Sequence, residues 1–173
     1  MDLDYKIEYR DSPQDYEIWV SNDKKILIAD SFFSGIDSDY LSEQYLPEKV
    51  NMELLNIEDE ELPNYILYGK GGLIKTEDEV KLNNDIFGAS FVLLSRMEEY
   101  LSDIRDAHDR FPLEASFLYK NDIHQIPVVD IYLNVLVALM AKYDPSIKAK
   151  AREFNILPSH DIDYYQRWMG FRS

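Results

Sequence analysis

The chain has 173 residues, 46% of them apolar and 13% aromatic, which is enough to bury a core and suits one domain. Eighteen Lys and Arg stand against 33 Asp and Glu, a formal charge of −15 spread along the sequence. A surface of that sign repels phosphate backbones and anionic lipid, which argues against nucleic-acid binding and electrostatic membrane attachment, and the lack of Cys removes disulfides and thiolate metal sites.

Residues 1–6 lack the basic-then-apolar order of a signal peptide, and no apolar run approaches the roughly 20 residues that span a bilayer. A cytoplasmic protein is expected. Residues 5–9 and 16–20 alternate apolar with charged or polar side chains, the period of half-buried strands. The stretch Ser21-Asn22-Asp23-Lys24 tolerates a tight turn, so 16–20 and 25–29 are predicted to form a hairpin. The pair Phe32-Phe33 leads into a less regular acidic region, and the carboxylates and Pro between residues 56 and 64 predict an exposed loop or a short capped helix. Residues 65–68, the run Gly69-Lys70-Gly71-Gly72 and Leu73-Ile74 read as strand, turn and strand, a second hairpin. The Gly run lacks the Gly-Lys-Ser/Thr ending of a phosphate-binding loop.

Two helices dominate the second half. Asn84 or Asp85 can cap a helix over 86–101, with Phe87, Phe91, Leu94, Glu98 and Leu101 at helical spacing. Ile86, Leu93, Met97 and Tyr100 widen its apolar face, which implies burial against more than one neighbour. The other helix starts near Pro127 and runs to about Tyr143, with Val128, Tyr132, Val135, Leu136, Leu139 and Met140 inward; Asp144-Pro145 stops it. Met97 and Met140 read as core. The expected fold is α+β or α/β, with N-terminal β-hairpins and two long packed helices in the second half.

Between the helices, residues 105–112 hold the densest cluster of functional groups: Arg105, Asp106, His108, Asp109 and Arg110. One reading is an acid/base or sugar-binding site. The other, preferred because no nucleophile lies nearby, is an ion-paired brace holding a helix end against the next strand. His124 is expected at the surface.

Four segments in the same order, residues 87–100, 105–112, Pro127-Val128-Val129-Asp130 and the closing run 157–163 (LPSHDID), carry a family likeness. Together they resemble the N-terminal region found ahead of some bacterial polysaccharide deacetylases of the NodB, or carbohydrate esterase family 4, type. The resemblance covers residues 85–163 and implies an accessory domain over 1–152, followed in 153–173 by the opening strand and first motif of a truncated deacetylase domain. Enzymes of that type remove acetyl groups from N-acetylated sugars with a divalent metal, usually zinc, held by one Asp and two His, with a second Asp as general base. On Ser159-His160-Asp161-Ile162-Asp163 the resemblance implies Asp161 as the base and Asp163 as the metal ligand, with no ligand role for His160. Residues two apart on a strand project to one side, in keeping with both carboxylates serving one site.

His108, His124 and His160 are the three histidines, so the His pair of that metal shell is missing, and one carboxylate does not hold zinc tightly. Zinc is expected in the parent protein and no tightly bound metal in this chain. The function implied is that of a non-catalytic N-terminal domain of a metal-dependent polysaccharide deacetylase, meeting its sugar substrate through the missing catalytic domain. The alternative is a self-contained glycan- or protein-binding module, for which the 13 Tyr and two Trp are suited to sugar stacking.

Overall fold

Short runs of alternating apolar and charged residues open the fold. Strand β1 (Tyr16–Trp19) pairs antiparallel with β2 (Lys25–Ile28), Tyr16 opposite Ile28, as the hairpin pattern predicts. The computed structural model describes residues 6–9, 15–21, 23–36, 40–148 and 154–159. Strands β3 (Asn51–Ile57) and β4 (Glu60–Ile66) form a two-stranded antiparallel sheet. Strand β5 (Gly69–Lys75) pairs antiparallel with β6 (Glu79–Asn84), and β6 lies parallel to β2, giving a four-stranded sheet of order β1-β2-β6-β5.

Helices follow: α1 (Ile86–Ser95), α2 (Met97–Leu101), the single turn α3 (Phe117–Lys120) and α4 (Val128–Tyr143). The architecture is the α+β arrangement expected, hairpins first and helices later. Ile26 and Ile28 of β2 stand beside Val80 and Leu82 of β6, all four out of contact with solvent. Each such burial contributes roughly 1.5–3 kcal/mol. Ile86, Ala89 and Val92 of α1, and Tyr132, Val135 and Leu139 of α4, complete the same core. On the other face of the sheet, Lys25 reaches Glu79 at 3.1 Å and Lys81 pairs with Asp15.

Several expectations are corrected. Residues 6–9 are in no strand and are exposed, Tyr9 to 92%. The acidic stretch 56–64 is neither loop nor helix but the turn and arms of the β3–β4 hairpin: Glu58 and Asp59 turn the chain at φ 49° and 68°, while Leu55, Ile57 and Asn64 face inward. Its charges sit on the wet side of a strand, so composition imitated a loop.

The second hairpin is β5–β6. Strand β4 does not pair with β5, and the Gly run lies inside β5, where the register shifts between Gly69 and Leu73. Strand β6, without which β2 has no second neighbour, escaped the sequence reading. The long helix predicted over 86–101 is broken at Arg96, whose left-handed φ of 55° ends α1 and starts α2. That break resets the helical phase. Leu94 and Tyr100, expected inward, are 70% and 72% exposed, whereas Met97 is buried and Glu98 accepts from the Phe117 amide at 2.6 Å. Helix α4 has the predicted extent, and its buried residues are all among the predicted inward set.

Candidate functional site

Asp85 joins β6 to α1 and is fully buried. Its Oδ1 accepts from the Gly88 amide at 2.7 Å, an N-cap bond, and its Oδ2 accepts from the amides of Ser31 at 2.9 Å and Phe32 at 2.8 Å. One carboxylate thus holds a helix start and the segment after β2 together. Of the two candidate caps, Asp85 is the one used. The segments meet so closely that a Cβ on Gly88 would overlap Phe32 Cβ and stand 2.6 Å from Asp85 Oδ2. Phe32 is thereby pressed into the core, its ring 5.1 Å from Tyr68 and 5.8 Å from Phe91, while Phe33 and Tyr40 lie more exposed against Phe91 at 5.2 and 5.7 Å.

Tyr68 links this aromatic group to a second wall. Its hydroxyl donates to the Tyr45 carbonyl at 2.7 Å, fixing the 3₁₀ turn Glu43–Tyr45. Between the walls lies an open cavity of about 310 Å³, lined by Ser31, Phe32, Gln44, Tyr45, Pro47 and Tyr68 among others. Its described lining carries no charged side chain. Burial, reinforced by the charge of Asp85, pushes the Tyr68 phenol well above its ordinary range, so it remains a hydrogen-bond donor throughout the neutral range.

A separate polar chain ties the sheets to α4. Asn84 Nδ2 donates to Asn64 Oδ1 at 2.7 Å and to the Tyr65 carbonyl at 2.9 Å. Asn64 Nδ2 donates to Glu53 Oε1 at 2.8 Å, an oxygen that also accepts from the Gly72 amide. Tyr132 of α4 donates its hydroxyl to the Tyr65 carbonyl at 2.6 Å. Such a network, complete but for Asn84 Oδ1, rigidifies the junction of the two sheets with α4. Its chemistry is that of positioning and binding.

The cluster at 105–110 is a separate, exposed clasp. Asp106 Oδ1 accepts from the amides of His108 at 2.8 Å and Arg110 at 3.0 Å, and Oδ2 accepts from Arg110 Nε at 3.1 Å. These donors, the Arg110 amide first and the His108 amide next, hold the Asp106 carboxyl below its usual range. The His108 contact runs through its backbone, not its ring. Arg105 turns away to the carbonyls of Ser102 and Ile104, and Asp109 takes a left-handed φ of 61°. The strand expected next is replaced by a 3₁₀ turn at Leu113–Ala115 and α3, so the clasp braces its own loop and, through Arg105 on the Ser102 and Glu99 carbonyls, the end of α2. His124 is half-buried rather than at the surface, its ring 5.0 Å from Tyr119.

A family model, described as a family of unknown function (DUF7033), matches residues 2–145. The chain belongs to DUF7033. No curated protein and no solved structure matches it. The matched region of this DUF7033 chain stops at Pro145, where α4 has just ended. Beyond it, residues 154–159 are in no regular element and are exposed, Phe154 to 89% and Leu157 to 92%. The strand expected there has no described partner strand. His160, Asp161 and Asp163 lie outside the described residues. Among the described residues no group of three or more His, Asp or Glu is arranged to hold a metal ion, and no helix is long and apolar enough to cross a membrane.

The cavity residues went unread in the sequence because they come from three separated segments. Phe32 drew notice only as part of an aromatic pair, and Tyr68 only as a strand residue. The one available signal was the density of aromatics in the acidic stretch 32–45, which holds Phe32, Phe33, Tyr40 and Tyr45.

Proposed function

We propose that this DUF7033 domain is the N-terminal, non-catalytic part of a metal-dependent polysaccharide deacetylase. The observation that carries the reading is the order of parts. The family match ends at Pro145, directly after α4, the last helix among the described residues, and the LPSHDID motif follows within 20 residues. In this reading Asp163 is a metal ligand and Asp161 the base that takes a proton from the attacking water. Asp163 would hold the zinc, which would supply Lewis acidity when bound, together with two His ligands that are not among the 173 residues.

The test uses the natural protein from its source cells. Its mass is expected to exceed 20.4 kDa, and it should release acetate from an N-acetylated oligosaccharide in a zinc-dependent way. Asp161→Asn is expected to slow that release by about 10²-fold or more, and Asp163→Ala to abolish zinc dependence. A natural mass of 20.4 kDa with no acetate release would sink the proposal. The aromatic-lined cavity, with no charged side chain among its described lining residues, favours a second reading, a binding module without catalysis, and saturable glycan binding without hydrolysis by the natural protein would select it.

A further inference from the structure

Both walls of the cavity beside Tyr68 are fixed before any ligand arrives. The segment Ser31–Phe32 hangs by two amides from the buried Asp85 carboxylate, and the Glu43–Tyr45 turn is held by the Tyr68 hydroxyl. The chain that follows the turn is pinned in the same way, the Val50 amide donating to Asn121 Oδ1 at 3.0 Å. A preorganised site spends little of its binding energy on ordering itself.

The cavity's size and lining narrow the ligand. At about 310 Å³ it is at the small end of ligand sites, room for one or two sugar-sized rings. Tyr45 and Tyr68 supply ring surface, and Ser31 and Gln44 supply uncharged hydrogen-bonding groups. An anion would meet the field of a chain with net charge −15, and a cation would find no carboxylate in the described lining. Neither wall is a strand edge, so an extended peptide has no ladder to join. What remains is a neutral molecule with an apolar C–H face and a rim of hydroxyls.

We infer that this cavity is a binding subsite for one ring of a neutral saccharide, which lies against Tyr45 and Tyr68 and is hydrogen-bonded by Ser31 and Gln44. The inference rests on reading the domain as a recognition element, whether or not a catalytic domain follows it.

Gly35 offers a direct probe. It lines the cavity, and a Cβ added there meets nothing within 4 Å at a backbone conformation open to any residue, so Gly35→Trp adds bulk at the cavity wall without a clash at its Cβ. The experiment titrates the whole chain, in the presence of a chelator, with cellotriose and with triacetylchitotriose by calorimetry and saturation-transfer NMR. Saturable binding with a Kd at or below about 1 mM is expected for at least one sugar. Gly35→Trp should weaken it at least about tenfold and the exposed Gln44→Ala about three- to tenfold, with thermal unfolding unchanged in both.

No saturation by either sugar up to about 10 mM overturns the inference, as does an affinity that neither variant alters. Tight binding of a peptide in place of sugar at this cavity also overturns it. Because binding is read without metal on this chain, its failure is distinct from failure of the deacetylase reading, which is scored by hydrolysis. Sugar binding indifferent to both variants would leave the recognition reading standing and remove only this cavity from it.

Discussion

Gly88 sits where α1 comes closest to the segment after β2. In an open helix, Ala is favoured over Gly by about 1 kcal/mol. Here the added methyl would run into Phe32 and the Asp85 carboxylate, so the sign reverses. Gly88→Ala is expected to destabilise the fold by about 1–3 kcal/mol, read as a lower urea midpoint at unchanged slope; a raised midpoint would contradict the packing described. Tyr16, Tyr68 and Tyr132 carry a second prediction. Burial, with the charge of Asp85 adding to it, raises all three phenols well above the ordinary tyrosine range. As pH rises through about 10, the unfolded chain releases phenol protons that the folded chain retains. The folded state then binds more protons, and its stability falls with further increase in pH. Circular dichroism and phenolate absorbance followed together should show that the phenolate signal of these three rings emerges only as the fold is lost. Full phenolate formation in a folded chain would refute their burial.

The β3–β4 hairpin is the element that composition concealed. Both central residues of its two-residue turn have positive φ, a conformation that favours Asn-Gly, yet the sequence supplies Glu58-Asp59. Asp59→Gly should therefore stabilise the protein by about 0.5–1 kcal/mol. It leaves Glu58 in its 3.2 Å pair with Lys142 of α4. Thermal unfolding checks this, and a lowered midpoint would mean that the Asp59 side chain supplies an unrecognised bond. Helix α4 lies at the other extreme of legibility. Its apolar residues recur at helical spacing between Pro127 and Asp144-Pro145, and all of the information needed is local. For α1 and α2 the spacing was equally visible, but the left-handed Arg96 leaves no compositional mark, and the inward face was misjudged beyond it.

At the scale of the whole molecule, the last buried side chain among the described residues is Ile147, just beyond α4. Ile147→Ala is expected to destabilise the protein by about 2–4 kcal/mol, measured by urea unfolding. An unchanged midpoint would show that the chain after α4 does not pack on this core. Periodicity within short windows was sufficient for β1, β2, α4 and the choice of caps at Asn84 or Asp85, because spacings of two and of three to four residues record which face meets a core. No such window contains the parallel pairing of β2 with β6, strands separated by fifty residues of chain, or the bulge that places a glycine run inside β5. The cavity belongs to the same class. Ser31, Gln44 and Tyr68 become neighbours only when Asp85 draws in one segment and the Tyr68 hydroxyl holds another. Local pattern determined which elements could form; the tertiary structure alone decided the site, because those contacts join residues whose separation along the chain leaves no periodic trace.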